Sequence, residues 1–255
     1  MKIATWNVNS LRVRLPHVLD WLNKQQPSVL AVQETKTVDA DFPAAALEEV
    51  GYQVVYSGQK TYNGVALISK GLVTEVVTDL PGLEDPQRRI LAASFGDVRV
   101  IDLYVPNGSE VGSDKYAYKL DWLAKMQEFI ADEMSRHAKV VVLGDFNIAP
   151  EDRDVHDPAA WREKILCSTP EREAYKGLLG LGLSDAFRLF DQEDASFSWW
   201  DYRAAGFRRN LGLRIDHILV SDSLRDKCLR CHIDKEPRKL ERPSDHAPVI
   251  AEFLS

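Results

Sequence analysis

Apolar residues recur at every second position, or run on for four to eight positions, in many short stretches of the chain. "KIATWNV" (2–8), "SVLAVQE" (28–34), "YQVVYS" (52–57), "GVALIS" (64–69), "VTEVVT" (73–78), "ILAASF" (90–95), "VRVIDLYV" (98–105), "KVVVLGD" (139–145), "FSWW" (197–200), "RIDHILVS" (214–221) and "PVIAEF" (248–253) therefore read as strands. Helical spacing is rarer. Leu11, Leu15, Val18, Leu19 and Leu22 recur at three and four before Pro27, and helices are expected over 42–50, 114–137 and 170–181. So many strands between so few helices do not fit strict βαβ alternation, and point instead to an α/β protein with two packed sheets and helices outside them. With no low-complexity stretch or long linker, residues 1–255 are expected to form a single domain.

Composition changes this picture little. A chain of 255 residues that is 45% hydrophobic has enough apolar side chain for a real core. The formal charge of −7 argues against a protein that coats nucleic acid through overall positive charge, yet is compatible with a local positive groove around an acidic cluster. The first residues contain no uninterrupted apolar run and nothing later approaches a membrane span, so a cytoplasmic location without membrane attachment is expected. Three cysteines are too few for a disulfide scaffold. "CLRCH" (228–232) matches the spacing of covalent haem attachment, but neither an export segment nor a downstream methionine ligand accompanies it. Zinc would lack thiols, which leaves cysteines packed near a strand.

The polar residues that interrupt strand ends carry the chemistry. Asn7 ends the first strand, Glu34 the second, Tyr104 the "VRVIDLY" strand, and Asp145 and Asn147 follow "KVVVL"; Asp216 lies in "LRIDHIL", and Asp245 and His246 in "PSDHAPV". Residues i and i+2 of an extended chain point the same way, so Asp145 and Asn147 can present a carboxylate and a carboxamide together. Singly, each residue reads as a turn-former, a capping group or a packing side chain. Jointly they make what metal-assisted phosphodiester cleavage requires. Glu34 with nearby aspartates supplies oxygen ligands for Mg²⁺, with Mn²⁺ as a substitute. Asp145 is the candidate to orient or deprotonate a water, and His246, Asn7, Asn147 and Tyr104 are donors suited to a charged phosphorane-like transition state. Neighbouring residues of an extended chain diverge, so Asp216 rather than Asp245 is expected to pair with the imidazole, leaving Asp245 nearer the metal.

At these residues the chain resembles the exonuclease III family of class II abasic-site endonucleases, within the endonuclease/exonuclease/phosphatase superfamily. "WNVNSLR", "QETK", "YNGVA", "YVPNG", "GDFNIAP", "SWWDYR", "GLRIDHIL" and "SDHAP" occur in family order through almost the whole chain. The resemblance implies a four-layered α/β sandwich, two mixed sheets flanked by helices as in deoxyribonuclease I, with the site at one edge of the facing sheets. It implies Glu34 on the metal with Asn7 and Asp245 completing its surroundings, Asp145 at the water, Asn147 and Tyr104 at the phosphate, and Asp216 paired with His246. Asn9 departs from some relatives, which carry an aspartate there, and this bears on metal affinity and number.

The implied substrate is double-stranded DNA with abasic sites or 3′ ends, cut 5′ to the lesion or trimmed and unblocked at the 3′ end, by a protein expected to be a monomer. Candidate DNA contacts are Lys36, Lys60, Tyr62, Asn107, Lys115, Lys119, Arg203, Arg208 and Arg209, all in or beside the motif loops. In relatives, residues matching Trp199, Leu213 and Ile215 line a pocket for a base-free sugar, which would exclude an intact nucleotide by shape. Two other readings are a same-fold phosphoesterase acting on RNA or another phosphodiester, and a non-catalytic nucleic-acid-binding regulator. Tyr104 stands where branches of the first kind generally carry histidine, and the second would have lost carboxylates that are all present here.

Overall fold

The computed structural model describes residues 1–80 and 82–254. Its first six-stranded sheet holds β1 (Lys2–Asn7), β2 (Val29–Gln33), β3 (Gln53–Ser57), β4 (Val65–Ser69), β13 (Cys228–Ile233) and β14 (Val249–Phe253), in the spatial order β13-β14-β1-β2-β4-β3. The second holds β5 (Val73–Val77), β6 (Ile90–Phe95), β7 (Val98–Tyr104), β8 (Lys139–Asp145), β9 (Leu183–Asp185) and β12 (Asp216–Ser221), in the order β5-β6-β7-β8-β12-β9. Both are mixed: β1 and β2 run parallel, as do β7 and β8, and their other pairings are antiparallel. A two-stranded ribbon joins β10 (Trp199–Trp200) to β11 (Gly212–Leu213).

Strand alternation builds the layers. Ile3, Val29, Ala31, Val100, Val141 and Leu143 meet between the two sheets, while their immediate neighbours Ala4, Leu30, Val32, Val140 and Val142 face outward under helices. Helices α1 (Leu11–Gln25) and α2 (Ala44–Glu49) cover the first sheet; α3 (Asp114–Arg136) and α5 (Thr169–Gly180) cover the second. The short helices α4 (Pro158–Trp161) and α6 (Asp222–Arg225) lie in connections. Each long helix begins at a serine whose hydroxyl accepts a free backbone N–H: Ser10 from Val13, Ser113 from Tyr116 and Ser168 from Glu171. The result is a four-layered helix–sheet–sheet–helix sandwich. The expected helix and strand segments match closely, but β9, β11 and β13 were not expected. β13 contains "CLRCH" as an exposed edge strand, so its cysteines lie in a strand rather than beside one.

Alternation also places the site. Following the gap-facing residues to one end of the sandwich gives Ile3–Thr5–Asn7 on β1, Asp102–Tyr104 on β7, Leu143–Asp145 on β8 and Ile218–Asp216 on β12. The register sets Tyr104 and Asp216 on either side of Asp145. Polar groups thus end the inter-sheet layer at one edge. Gly144 lets this happen: at φ +143 a Cβ there would come within 1.9 Å of the Leu103 carbonyl oxygen.

Candidate active site

Asp145 is the hub. Only 1% exposed, it accepts Asn7 Nδ2 (2.9 Å) on Oδ2 and the Asn147 backbone N–H (3.0 Å) on Oδ1, and His246 Nε2 lies 3.6 Å away. Burial raises its carboxyl, as do the charges of Asp216 and Glu34; His246 and the Asn7 bond oppose this, and the balance is about 7. His246 is turned by Asp216, whose Oδ2 is 2.8 Å from Nδ1. Burial alone would lower the imidazolium, but the carboxylates of Asp216 and Asp145 outweigh it and hold the group up at about 10. The imidazole therefore carries both protons near neutral pH, with Nδ1–H on Asp216 and Nε2–H towards Asp145.

Asn7 bridges the acids. Its Nδ2 donates to Glu34 Oε2 (2.8 Å) as well as to Asp145, while its Oδ1 accepts the Asn9 backbone N–H (3.0 Å). The carboxamide thus turns its nitrogen, not its oxygen, towards the carboxylates. Glu34 sits in the left-handed region at φ 54, just past the end of β2, and is the partly exposed member of a group with Asp145 and His246 whose ligand atoms lie within 4.8 Å of one another. Asp245 is outside that group. Its Oδ1 accepts Asn9 Nδ2 (3.0 Å) and its Oδ2 the Trp199 indole N–H (3.0 Å), so it links the rim of the acid cluster to the aromatic wall rather than joining the cluster.

Asn147, also left-handed at φ 48, donates Nδ2 to the Val105 carbonyl (2.9 Å) and accepts Asn107 Nδ2 (3.3 Å). Tyr104 stacks under the Arg89 guanidinium, 4.7 Å from its ring centroid. Burial, then the charges of Glu34 and Asp145, keep its phenol well above the usual tyrosine range. Asn107 also lines a cavity of about 350 Å³ with Tyr62, Arg89 and Lys115. Lys36 reaches Asn9 Oδ1 (2.6 Å) and lies 3.5 Å from Glu34. Lys60, Lys115, Arg208 and Arg209 are exposed. Lys119, expected at the phosphate, is instead buried in α3, paired with Glu171 and donating to the Asn147 carbonyl (2.7 Å). Arg203 is paired with Asp201 on the surface. Trp199 stands opposite Leu213 and joins one apolar cluster with it and Ile215, and of these three only Trp199 keeps partial exposure.

Several working side chains escaped the sequence reading. The buried Ser198 hydroxyl donates to Asp216 Oδ2 (2.7 Å) and accepts the Ile215 and Asp216 N–H groups (3.0 and 3.1 Å). Ser244 donates to the Asn7 carbonyl (2.6 Å) and accepts the His246 N–H (3.2 Å). Each fixes a strand end from a neighbouring loop. For Ser244 the signal was its place directly before the Asp–His pair.

Comparison with known proteins matches this geometry over its full length. Residues 4–246 fit the model of the endonuclease/exonuclease/phosphatase family. An exodeoxyribonuclease III from Haemophilus influenzae is 40% identical, covering 99% of this chain and 100% of that one. Among solved structures, the 3′ phosphatase NExo from Neisseria bound to a product DNA hairpin is 53% identical at a TM-score of 0.98, with both chains fully covered. An AP endonuclease from Archaeoglobus fulgidus is 38% identical at a TM-score of 0.96, again over both full chains.

Proposed function

The chain belongs to the endonuclease/exonuclease/phosphatase family, and from that premise we propose that its acid cluster is a Mg²⁺-dependent centre cutting DNA 5′ to abasic sites and trimming or unblocking 3′ ends. The protein is a phosphodiester-hydrolysing DNA-repair nuclease of the exodeoxyribonuclease III kind. The observation that carries the finer reading is the line Ser198–Asp216–His246 meeting Asp145 beside Glu34, where a buried imidazole and a buried carboxylate face one another.

The residues suit a hard divalent cation. Glu34 and Asp145 offer carboxylate oxygens close together, and the acid cluster contains no thiol. Glu34 and Asp145 would hold the ion, with Mn²⁺ able to replace Mg²⁺; Asn7 and Asp245 act at one remove, Asn7 by orienting both carboxylates and Asp245 through Asn9. When bound, the ion polarises a phosphate oxygen and makes a coordinated water more acidic. Asp145, buried and held by Asn7 and the Asn147 backbone N–H, orients the attacking water and takes its proton. His246 donates Nε2–H to a non-bridging oxygen, and the second amide proton of Asn147 and the Tyr104 hydroxyl serve the same phosphate. Asp216, held by Ser198, keeps His246 turned.

Lys36, Lys60, Tyr62, Asn107, Lys115, Arg208 and Arg209 carry the duplex, and Trp199 with Leu213 and Ile215 receives the base-free sugar. In this reading the protein works as a cytoplasmic monomer; among the described residues no helix is long and apolar enough to cross a membrane. The test uses purified protein with Mg²⁺ on three duplexes: one with an internal abasic analogue, one with a recessed 3′-OH, one with a 3′-phosphate. Chelator-sensitive cleavage of the first and processing of at least one of the others is expected. Turnover that survives excess chelator would refute the metal centre, and an inert abasic duplex would refute the lesion specificity.

A further inference from the structure

The catalytic loop is buried along its whole length, from Gly144 to Pro150, so its backbone carbonyls must find partners inside the protein. Two side chains meet successive carbonyls. Lys119 donates to Asn147, and His217 lies with Nε2 2.8 Å from the Ile148 carbonyl oxygen. His217 neighbours Asp216 on β12, and alternation turns the two apart: Asp216 faces the gap and His246, while His217 faces the helix layer between the rings of Phe146 and Tyr175.

The tautomer of His217 follows from its other contact. Nδ1 is 3.1 Å from Arg214 Nη1, and a guanidinium only donates, so Nδ1 must be the unprotonated acceptor and Nε2 must carry the hydrogen. Arg214 cannot turn away. It is 2% exposed, its Nε donates to Asp154 Oδ1 (2.7 Å), its Nη2 to Asp185 Oδ2 (2.8 Å) and its backbone N–H to the Asp154 carbonyl (2.9 Å). Burial, and then the guanidinium, push the imidazolium down to about 4, consistent with the single-proton form that the geometry requires. On either side of Arg214, Leu213 and Ile215 point into the apolar cluster with Trp199, and the Ile215 carbonyl accepts the Phe146 N–H (2.9 Å).

We propose that His217 is a positioning residue for catalysis: locked by Arg214 as the Nε2–H tautomer, it holds the Ile148 carbonyl and so fixes the left-handed turn at Asn147 that aims Asp145 and Asn147. The inference rests on the reading of Asp145 and Asn147 as working groups. No other side chain bonds the Ile148 carbonyl among the described residues, so losing the imidazole frees the turn next to the reacting phosphate rather than at a distance.

The test compares two replacements in the full-length protein. His217→Gln carries an amide N–H out to the Nε2 position and keeps the Ile148 bond. His217→Asn keeps an acceptor near Nδ1 for Arg214 but reaches no further. With Mg²⁺ and an abasic duplex, below the melting temperature of every variant, kcat of His217→Asn should fall on the order of 10- to 100-fold. Its KM should stay near wild type, and His217→Gln should recover most of the loss. Unchanged kcat in both variants, equal losses in both, or a change confined to KM each overturn the proposal. Should His217→Asn not fold, nitrogen NMR of the wild-type imidazole decides: a proton on Nε2 with coupling across to Ile148 is expected, and a proton on Nδ1 overturns it. Asp145→Asn is run alongside. If it keeps wild-type turnover, the reading of the active site fails; if it is dead while both His217 variants match wild type, only the positioning role fails.

Discussion

Replacing Asp145 by asparagine should make the metal-free protein more stable while removing its activity. The carboxyl is driven from 3.8 to about 7 by burial and by Asp216 and Glu34. Between those values the folded state holds a proton that the unfolded chain releases, so stability falls as pH rises through that window and stays low above it. The deficit at pH 8 is about 4 kcal/mol. Asparagine removes this term but does not fit freely. Its oxygen must keep accepting the Asn147 N–H, which leaves its amide nitrogen facing the Asn7 Nδ2 and His246 Nε2 donors that now point at Oδ2. Donors left facing one another cost about 1–3 kcal/mol, so a net gain of about 1–3 kcal/mol remains. For a domain of this size that is roughly 2–12 °C in melting temperature.

The assay is thermal unfolding of both proteins in excess chelator at pH 5 and pH 8, with turnover on an abasic duplex in Mg²⁺ measured separately. The gain should be large at pH 8 and much smaller at pH 5, where the wild-type carboxyl is mostly protonated in the fold. Turnover should drop roughly 10²- to 10⁴-fold, the usual range for losing a positioned general base. A variant that melts lower at pH 8, or gains equally at both pH values, would show that no buried charge is being relieved. Cleavage within a few-fold of wild type would remove Asp145 from the chemistry.

Glu34→Gln keeps the size and the Asn7 contact but loses the charge of the most exposed acid in the cluster, so half-maximal activity should need roughly tenfold or more Mg²⁺; an unchanged Mg²⁺ titration would exclude Glu34 as a ligand. Trp199→Ala should lose about 1–3 kcal/mol of transition-state binding on an abasic duplex, and the ratio of cleavage at the lesion to cleavage at an undamaged site should fall; a uniform loss would make Trp199 a packing residue. Arg214→Met leaves Asp185 without a cationic partner in the interior and Asp154 with Arg188 alone, and should cost about 3–5 kcal/mol in urea unfolding, with Asp185→Asn in the same chain recovering part of it. In wild type Arg214 holds Asp185 at about 2 against the effect of burial, so that stability is present above 3.8 and is lost as pH falls through 2. In Arg214→Met burial drives the Asp185 carboxyl up instead of down, so this acid loss should disappear and the variant's deficit against wild type should shrink as pH falls; a deficit that stays constant or grows in acid would contradict the pairing.

Which of these residues a sequence can reveal depends on what marks them. Asn7, Tyr104 and Asp145 were legible because each is the polar end of a largely apolar strand, although Thr5 and Asp102 also face the gap behind the first two, and the same alternation made Asp216 the better partner for His246. What alternation cannot give is the partner across the gap. Asp245 was expected near the metal once Asp216 was given the imidazole, yet its oxygens are taken by Asn9 and Trp199. Lys119 shows a signal that went unused. In α3 the buried residues are Tyr116, Lys119, Trp122, Leu123, Met126, Phe129, Ile130 and Glu133, so the lysine falls on the apolar stripe at a spacing of three from Tyr116 and from Trp122. A charge on that stripe must be paired inside, and Glu171, fixed by the capping box that starts α5, is its partner. His217 left no such mark. Within "RIDHILVS" it reads as an ordinary strand residue, and only the meeting of β12, the catalytic loop and Arg214 decides which of its nitrogens carries the proton. The groups that act on the phosphate are written into strand ends, whereas those that hold the strand ends still become identifiable only when separate parts of the chain meet.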